Sequence, residues 1–99
     1  MVKKNLTLTE QRRYKKYALT PFQHSRMLER QSNVCAICGG KNNGRQLVVD
    51  HDHYTGKVRG LLCSRCNTGL GHFLDDIRLL ASAIVYLEDN GQEYYGSQE

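Results

Sequence analysis

Ninety-nine residues with 39% hydrophobic side chains, no Trp and only two Phe make one small domain whose core is marginal against the chain entropy lost on folding, so a staple is expected. The formal charge is +4, but residues 1–31 carry eight Lys/Arg against two acids, residues 32–74 five against two, and residues 75–99 one against six. No apolar run is long enough to span a bilayer and none follows the basic start at Met1 to Asn5, so no secretory signal is visible and a soluble cytoplasmic protein that does not engage a membrane is the expectation.

The basic N-terminal two-thirds is a candidate polyanion-facing side, with a solvated basic helix as the plainer reading. Thr7-x-x-Glu10 is a capping box that opens a helix through about Leu19. That helix carries Arg12, Arg13, Lys15 and Lys16 interleaved with Tyr14 and Tyr17. Thr20-Pro21 restarts the chain with Thr as N-cap, Pro at the first helical position and Gln23 at the third. The second helix is predicted to reach about Gln31, with Phe22, Met27 and Leu28 available for the core and Arg26 and Arg30 on one face. His24 reads as a surface residue.

Ser32 to Gly44 is a loop built on Cys35-x-x-Cys38, and Gly39-Gly40 supports a tight turn after it. Gln46–Val49 and Lys57–Leu62 read as an antiparallel hairpin, joined by a loop that includes the Tyr54-Thr55-Gly56 turn. Ser64 is placed as the cap of a short helix that holds Cys66 and Asn67 in its first turn and is weakened by Gly69 and Gly71. Asp75 or Asp76 starts the last helix, which ends at Asn90-Gly91. Its apolar stripe, Phe73, Ile77, Leu80, Ile84 and Leu87, widened by Leu79, Ala83 and Tyr86, is expected to cover the back of the metal module or to form a dimer seam. Gln92 to Glu99 reads as a loose tail.

Two Cys-x-x-Cys pairs, Cys35/Cys38 and Cys63/Cys66, have the spacing at which each knuckle gives two thiolates to one tetrahedral ion. In a reducing compartment they point to zinc rather than to disulfides. Four sulfurs close the shell, so this zinc is structural. Loading it changes the formal charge to about +2, since four thiolates and one Zn²⁺ are added. Between the knuckles lie Asp50, His51, Asp52 and His53, and Asn67 follows the last cysteine. A carboxylate and an amide oxygen are hard ligands that suit Mg²⁺, and an imidazole beside them can take a proton from water. Neighbours on a regular strand point to opposite faces, so Asp50 and His51 can serve one centre only if the backbone leaves β geometry. A loop or bulge is therefore predicted from about His51 onward.

The run Cys35 to Asp76 resembles the recombination endonuclease VII family of His-Me finger (HNH) nucleases. The likeness is carried by Asp50-His51-Asp52-His53, the Thr55-to-Cys63 segment and Cys66-Asn67, with Tyr17-to-Pro21 and Gln31-to-Cys38 upstream. It implies a small α+β, zinc-stapled ββα-metal fold with two N-terminal helices and one C-terminal helix. Within a single domain over 1–99, residues 6–31 would be the basic helical segment, 32–74 the zinc-bound nuclease core, 75–90 the last helix and 91–99 the tail. It further implies that His51 is the general base, that Asp50 and Asn67 bind a catalytic Mg²⁺ or Mn²⁺, and that His53 acts near the scissile phosphate or the ion. The products would carry 5′-phosphate and 3′-hydroxyl ends. The chain stops soon after its last helix, without the junction-resolving prototype's long C-terminal extension, so nicking or cutting of DNA is expected rather than junction resolution.

Lys57, Arg59 and Arg65 flank the site and join Arg12, Arg13, Lys15 and Lys16 as candidate phosphate contacts. Asp52 is either a partner that orients an imidazole or a solvated loop carboxylate. Tyr54 would stack on a base or pack on the knuckle, and His72 reads as structural. The expected partner is DNA, bound by a monomer or a homodimer. Two rival readings stand beside the nuclease: a non-catalytic zinc module that binds nucleic acid, and a protein-interaction zinc module working through the last helix.

Overall fold

The computed structural model describes residues 6–89, and the chain divides into two compact units, one through Asn67 and one from Thr68 on. Among the described residues there are four helices and one two-stranded sheet: α1 (Leu8–Tyr17), α2 (Pro21–Arg30), β1 (Val48–His51), β2 (Val58–Leu62), α3 (Ser64–His72) and α4 (Ile77–Asp89). The N-terminal five residues, the predicted Asn90-Gly91 stop and the tail lie outside the described residues. No described helix is long and apolar enough to cross a membrane.

Both N-terminal helices begin as the local chemistry dictates. Thr7 Oγ1 accepts the Glu10 N–H at 3.1 Å while the Glu10 carboxylate accepts the Thr7 N–H at 2.9 Å. Thr20 and Gln23 repeat the exchange at 3.1 and 2.9 Å, with Pro21 at the first helical position. Each box satisfies two N–H groups that a bare helix start would leave open. α1 ends two residues earlier than expected because Ala18 turns left-handed (φ 56°) and donates its N–H to Tyr14 O.

β1 and β2 pair antiparallel as Val48↔Leu62, Val49↔Leu61, Asp50↔Gly60 and His51↔Val58. Three residues of β2 therefore face two of β1, and Arg59 is the extra one. The break in register falls between Asp50 and His51, beside the position where one was expected, but the inserted residue sits on the partner strand and both residues remain in β1. β1 starts later than predicted because Asn42 and Arg45 form a bridge ahead of it and Asn42 Nδ2 donates to Gln46 O at 2.8 Å.

The core of the first unit is built on β2 and the knuckles. Leu61 is fully buried, Leu62, Cys63, Cys35 and Leu19 nearly so, together with the polar His24 and Asn42. Met27 and Leu28 are half-buried, whereas Phe22, expected in the core, is 69% exposed. His24 is also a correction: it is buried, and burial, then the Arg13 charge, lower its imidazole below the ordinary 6.5 against the pull of Glu10.

Gln31 ties this unit together. Its Nε2 donates to Val34 O and Leu61 O at 2.8 and 2.9 Å, and its Oε1 accepts the Leu61 N–H at 3.0 Å. A Cβ at Gly60 would stand 3.4 Å from that Oε1, so the strand approaches the amide where it carries no side chain.

In the second unit, Leu74 and Asp75 are left-handed (φ 58° and 54°), and Asp76 Oδ1 caps α4 by accepting the Arg78 N–H at 2.8 Å. α4 holds no buried residue: Ile77 is 81% and Leu87 70% exposed. The stripe expected to be core or a dimer seam is thus exposed along α4. The apolar face has the right period, but period alone does not supply a layer to cover it.

Candidate metal centre and Asp-His-Asn site

The first knuckle closes on itself through its own backbone. Gly39 is left-handed (φ 72°), Cys35 Sγ accepts the Ile37 N–H at 3.4 Å, and Cys38 Sγ accepts the Gly40 N–H at 3.3 Å. The second knuckle is a helix start. Cys63 Sγ accepts the Cys66 N–H at 3.4 Å, which makes Cys63, rather than Ser64, the capping residue of α3. The Ser64 N–H goes instead to Asn42 Oδ1 at 2.9 Å, so the loop between the knuckle and the sheet also holds the helix start.

All four sulfurs lie within 4.8 Å of one another, and Cys38 Sγ is 3.8 Å from Cys63 Sγ. A tetrahedral ion with Zn–S bonds of about 2.3 Å requires S···S edges of about 3.8 Å. Charge tells the same story. Burial pushes the Cys35 thiol up, but the N–H groups of Cys38, Cys63 and Ile37 outweigh it and bring it down to about 6. The Gly40 N–H likewise lowers Cys38. Burial, then the neighbouring cysteines, pushes Cys66 up to about 12. Four thiolates this close are mutually repulsive, and a divalent cation is what allows the last of them to ionise. Four cysteines clustered in this way are consistent with structural zinc.

The Asp-His-Asn residues come from the end of the hairpin and the start of α3. Asp50 is held in a bidentate ion pair by the extra residue of the bulge: Arg59 Nε reaches Oδ2 at 2.7 Å and its Nη2 reaches Oδ1 at 3.0 Å. The Asp50 side chain is 12% exposed. The bulge rotates Arg59 out of regular alternation and so brings it onto the carboxylate. His51 is half-buried, with the Tyr17 ring 5.5 Å from its own at a 50° tilt. Lys16 Nζ sits 5.3 Å from the Tyr17 ring centre on the same helix. Asn67 is half-buried in the first turn of α3, and its N–H bonds Cys63 O at 3.0 Å. The donor types fit a hard divalent ion: each Asp50 oxygen accepts one Arg59 N–H and keeps a second lone pair, and Asn67 offers an amide oxygen.

Asp52 has a role beyond the two considered for it. Its Oδ1 accepts the Tyr54 and Thr55 N–H groups at 2.8 and 2.9 Å, and its backbone closes the loop to Lys57 O and Gly56 N–H. The Thr55 and then the Tyr54 N–H lower its carboxyl below the usual range. It shapes the turn that follows His51. His53 is exposed and meets Tyr54 edge-on at 5.6 Å. Arg12, Lys15, Lys16, Lys57 and Arg65 are exposed, while Arg13 reaches Gln46 Oε1 at 3.3 Å. Sequence reasoning missed Tyr17 as a neighbour of His51 and Gln31 as a clamp on β2. An aromatic among the lysines of α1 was the only signal for the former.

The family model of recombination endonuclease VII matches residues 10–89. Over 73 residues the chain is 47% identical to the Gene 59 protein of Mycobacterium phage D29 and 44% identical to that of Mycobacterium phage L5. Each match covers 72% of this chain and 44% of the relative, so the chain spans less than half the length of these curated relatives. No solved structure matches.

Proposed function

The chain belongs to the recombination endonuclease VII family, and from that premise we propose that it is a Mg²⁺- or Mn²⁺-dependent DNA endonuclease of the His-Me finger (HNH) type. The observation that carries the reading is the register break between Asp50 and His51, at the end of a hairpin followed directly by the helix of Asn67. A ββα-metal site needs an acid and a base that are adjacent in sequence to serve one centre; the break, with Arg59 inserted on the partner strand, lies beside that pair at the open end of the hairpin, where a metal and water can sit past the last strand residue.

His51 is the general base that takes the proton from the attacking water, oriented by its contact with Tyr17. Asp50 and Asn67 would hold the ion, which when bound supplies electrostatic stabilisation of the leaving oxygen. The products carry 5′-phosphate and 3′-hydroxyl ends. Arg59 positions Asp50, and His53 stands at the mouth of the turn, where a phosphate would pass. The zinc takes no part in the chemistry, because its four thiolates leave no open position. DNA is the partner, with Arg12, Arg13, Lys15, Lys16, Lys57 and Arg65 on its backbone. The setting is a bacterial cytoplasm, in keeping with the phage relatives.

One observation favours a second reading. Arg59 satisfies both Asp50 oxygens without a metal, as a non-catalytic zinc module that only binds nucleic acid would allow. Supercoiled plasmid with Mg²⁺ separates the two. Nicking is expected from the wild type, falling at least about 100-fold in His51→Ala and Asn67→Ala at unchanged zinc content. Salt-sensitive DNA binding with no cleavage in Mg²⁺ or Mn²⁺ would establish the binding module instead.

A further inference from the structure

Beside β2, on the exposed side of α2, lies a groove of about 450 Å³ lined by Phe22, Arg26, Met27, Arg30, Val58 and Arg59, with the buried Leu19 also contributing. The groove combines two chemistries. Among the described residues three guanidinium groups line it and no carboxylate does, although Glu29 reaches Arg26 from outside at 3.8 Å and Asp50 holds Arg59. Between them an aromatic ring stands 69% exposed on an apolar floor, with the Arg26 guanidinium 5.8 Å from its centre. A ring left in water beside cations has the composition of a stacking platform.

We infer that this groove is a nucleotide subsite for one DNA strand with an unpaired base, which stacks on Phe22 while its flanking phosphates meet Arg26 and Arg30. Resting on the nuclease reading, it places the subsite next to the scissile bond, because Arg59 both lines the groove and holds Asp50. A paired base is excluded: inside a duplex its faces are covered, and only an extruded or single-stranded base presents a π-face to a side chain. The volume suits one occupant of this kind. Arg26 and Arg30, one turn apart on α2, present two cations along the groove, the pattern a phosphodiester backbone needs.

Fluorescence anisotropy on the zinc-loaded full chain without added Mg²⁺ tests this, using a short oligothymidylate and a duplex of equal length. Phe22→Ala is expected to weaken oligothymidylate binding about 5- to 100-fold and leave duplex binding unchanged, with Phe22→Tyr restoring it. Arg26→Gln/Arg30→Gln is expected to reduce the salt slope for the single strand by about 1.4. Thymidine 5′-monophosphate at micromolar concentration is expected not to displace the strand. The proposal is overturned if Phe22→Ala binds oligothymidylate as the wild type does, if it weakens both ligands equally, or if the free nucleotide competes. Plasmid nicking measured in parallel separates the two ideas: cutting with unaltered single-strand binding in the variants sinks the subsite alone, and lost binding in a protein that never cuts sinks the nuclease reading alone.

Discussion

The unit ending at Asn67 and the one that follows it use apolar residues in opposite ways. The first has a short buried set, Leu19, Cys35, Leu61, Leu62 and Cys63, yet it is cross-tied from segments distant in sequence. Gln31 holds Leu61, Asn42 holds the start of α3, and four sulfurs converge. The second has the more apolar helix, Ile77–Asp89, and buries none of it. Apolar content therefore does not measure where a small protein is stable. Long-range ties do, because they are what repays the entropy of closing loops.

The strongest test of that contrast is removal of the metal. Chelation, or Cys63→Ser, is expected to remove on the order of 10 kcal/mol from the first unit and to abolish amide protection in β2, while exchange along α4 stays fast in both forms. Protection in β2 that survives without zinc would mean the hydrogen-bonded ties suffice. A pair of truncations sharpens the comparison at the next level. Leu61→Ala, at a position with no exposed surface, is expected to cost about 3 kcal/mol in urea unfolding. Ile84→Ala, 57% exposed, should stay within about 0.5 kcal/mol. Equal losses would show that α4 is covered in solution.

The smallest effect concerns pH. Burial, then Arg13, holds His24 below its ordinary 6.5, with Glu10 opposing. A folded value below the unfolded one means that the neutral ring's contribution is present above about 6.5 and is lost as pH falls through the folded value. The urea midpoint of the wild type is therefore expected to fall more steeply on acidification than that of His24→Gln. Parallel profiles would remove His24 from the account.

What was legible in the sequence was what is decided within a few residues or by covalent spacing. Both capping boxes, the start of α4 at Asp75 or Asp76 and the paired knuckles belong here, since each depends on neighbours along the chain. A break beside His51 was legible in part: strand alternation called for an irregularity there, but the inserted residue, Arg59, lies on the partner strand and His51 stays in β1. Missing were the facts that need a partner from elsewhere. His24 looked exposed because its helix is polar, Phe22 looked buried because it is apolar, and nothing in the segment of Arg59 revealed Asp50 as its neighbour. Family resemblance supplied the proposed activity; the residues supplied the expectation of an irregularity beside His51.

The side-chain amide of Gln31 has a consequence beyond stability. Leu61 turns its N–H and C=O away from β1, and Gln31 accepts the one while donating to the other, with the Ala36 N–H also on that carbonyl. The amide thus occupies the place a third strand would take. A two-stranded sheet has two open borders, each able to template the addition of a foreign strand. Here one border is sealed at its centre by a single glutamine, so extended segments of other chains are denied that edge.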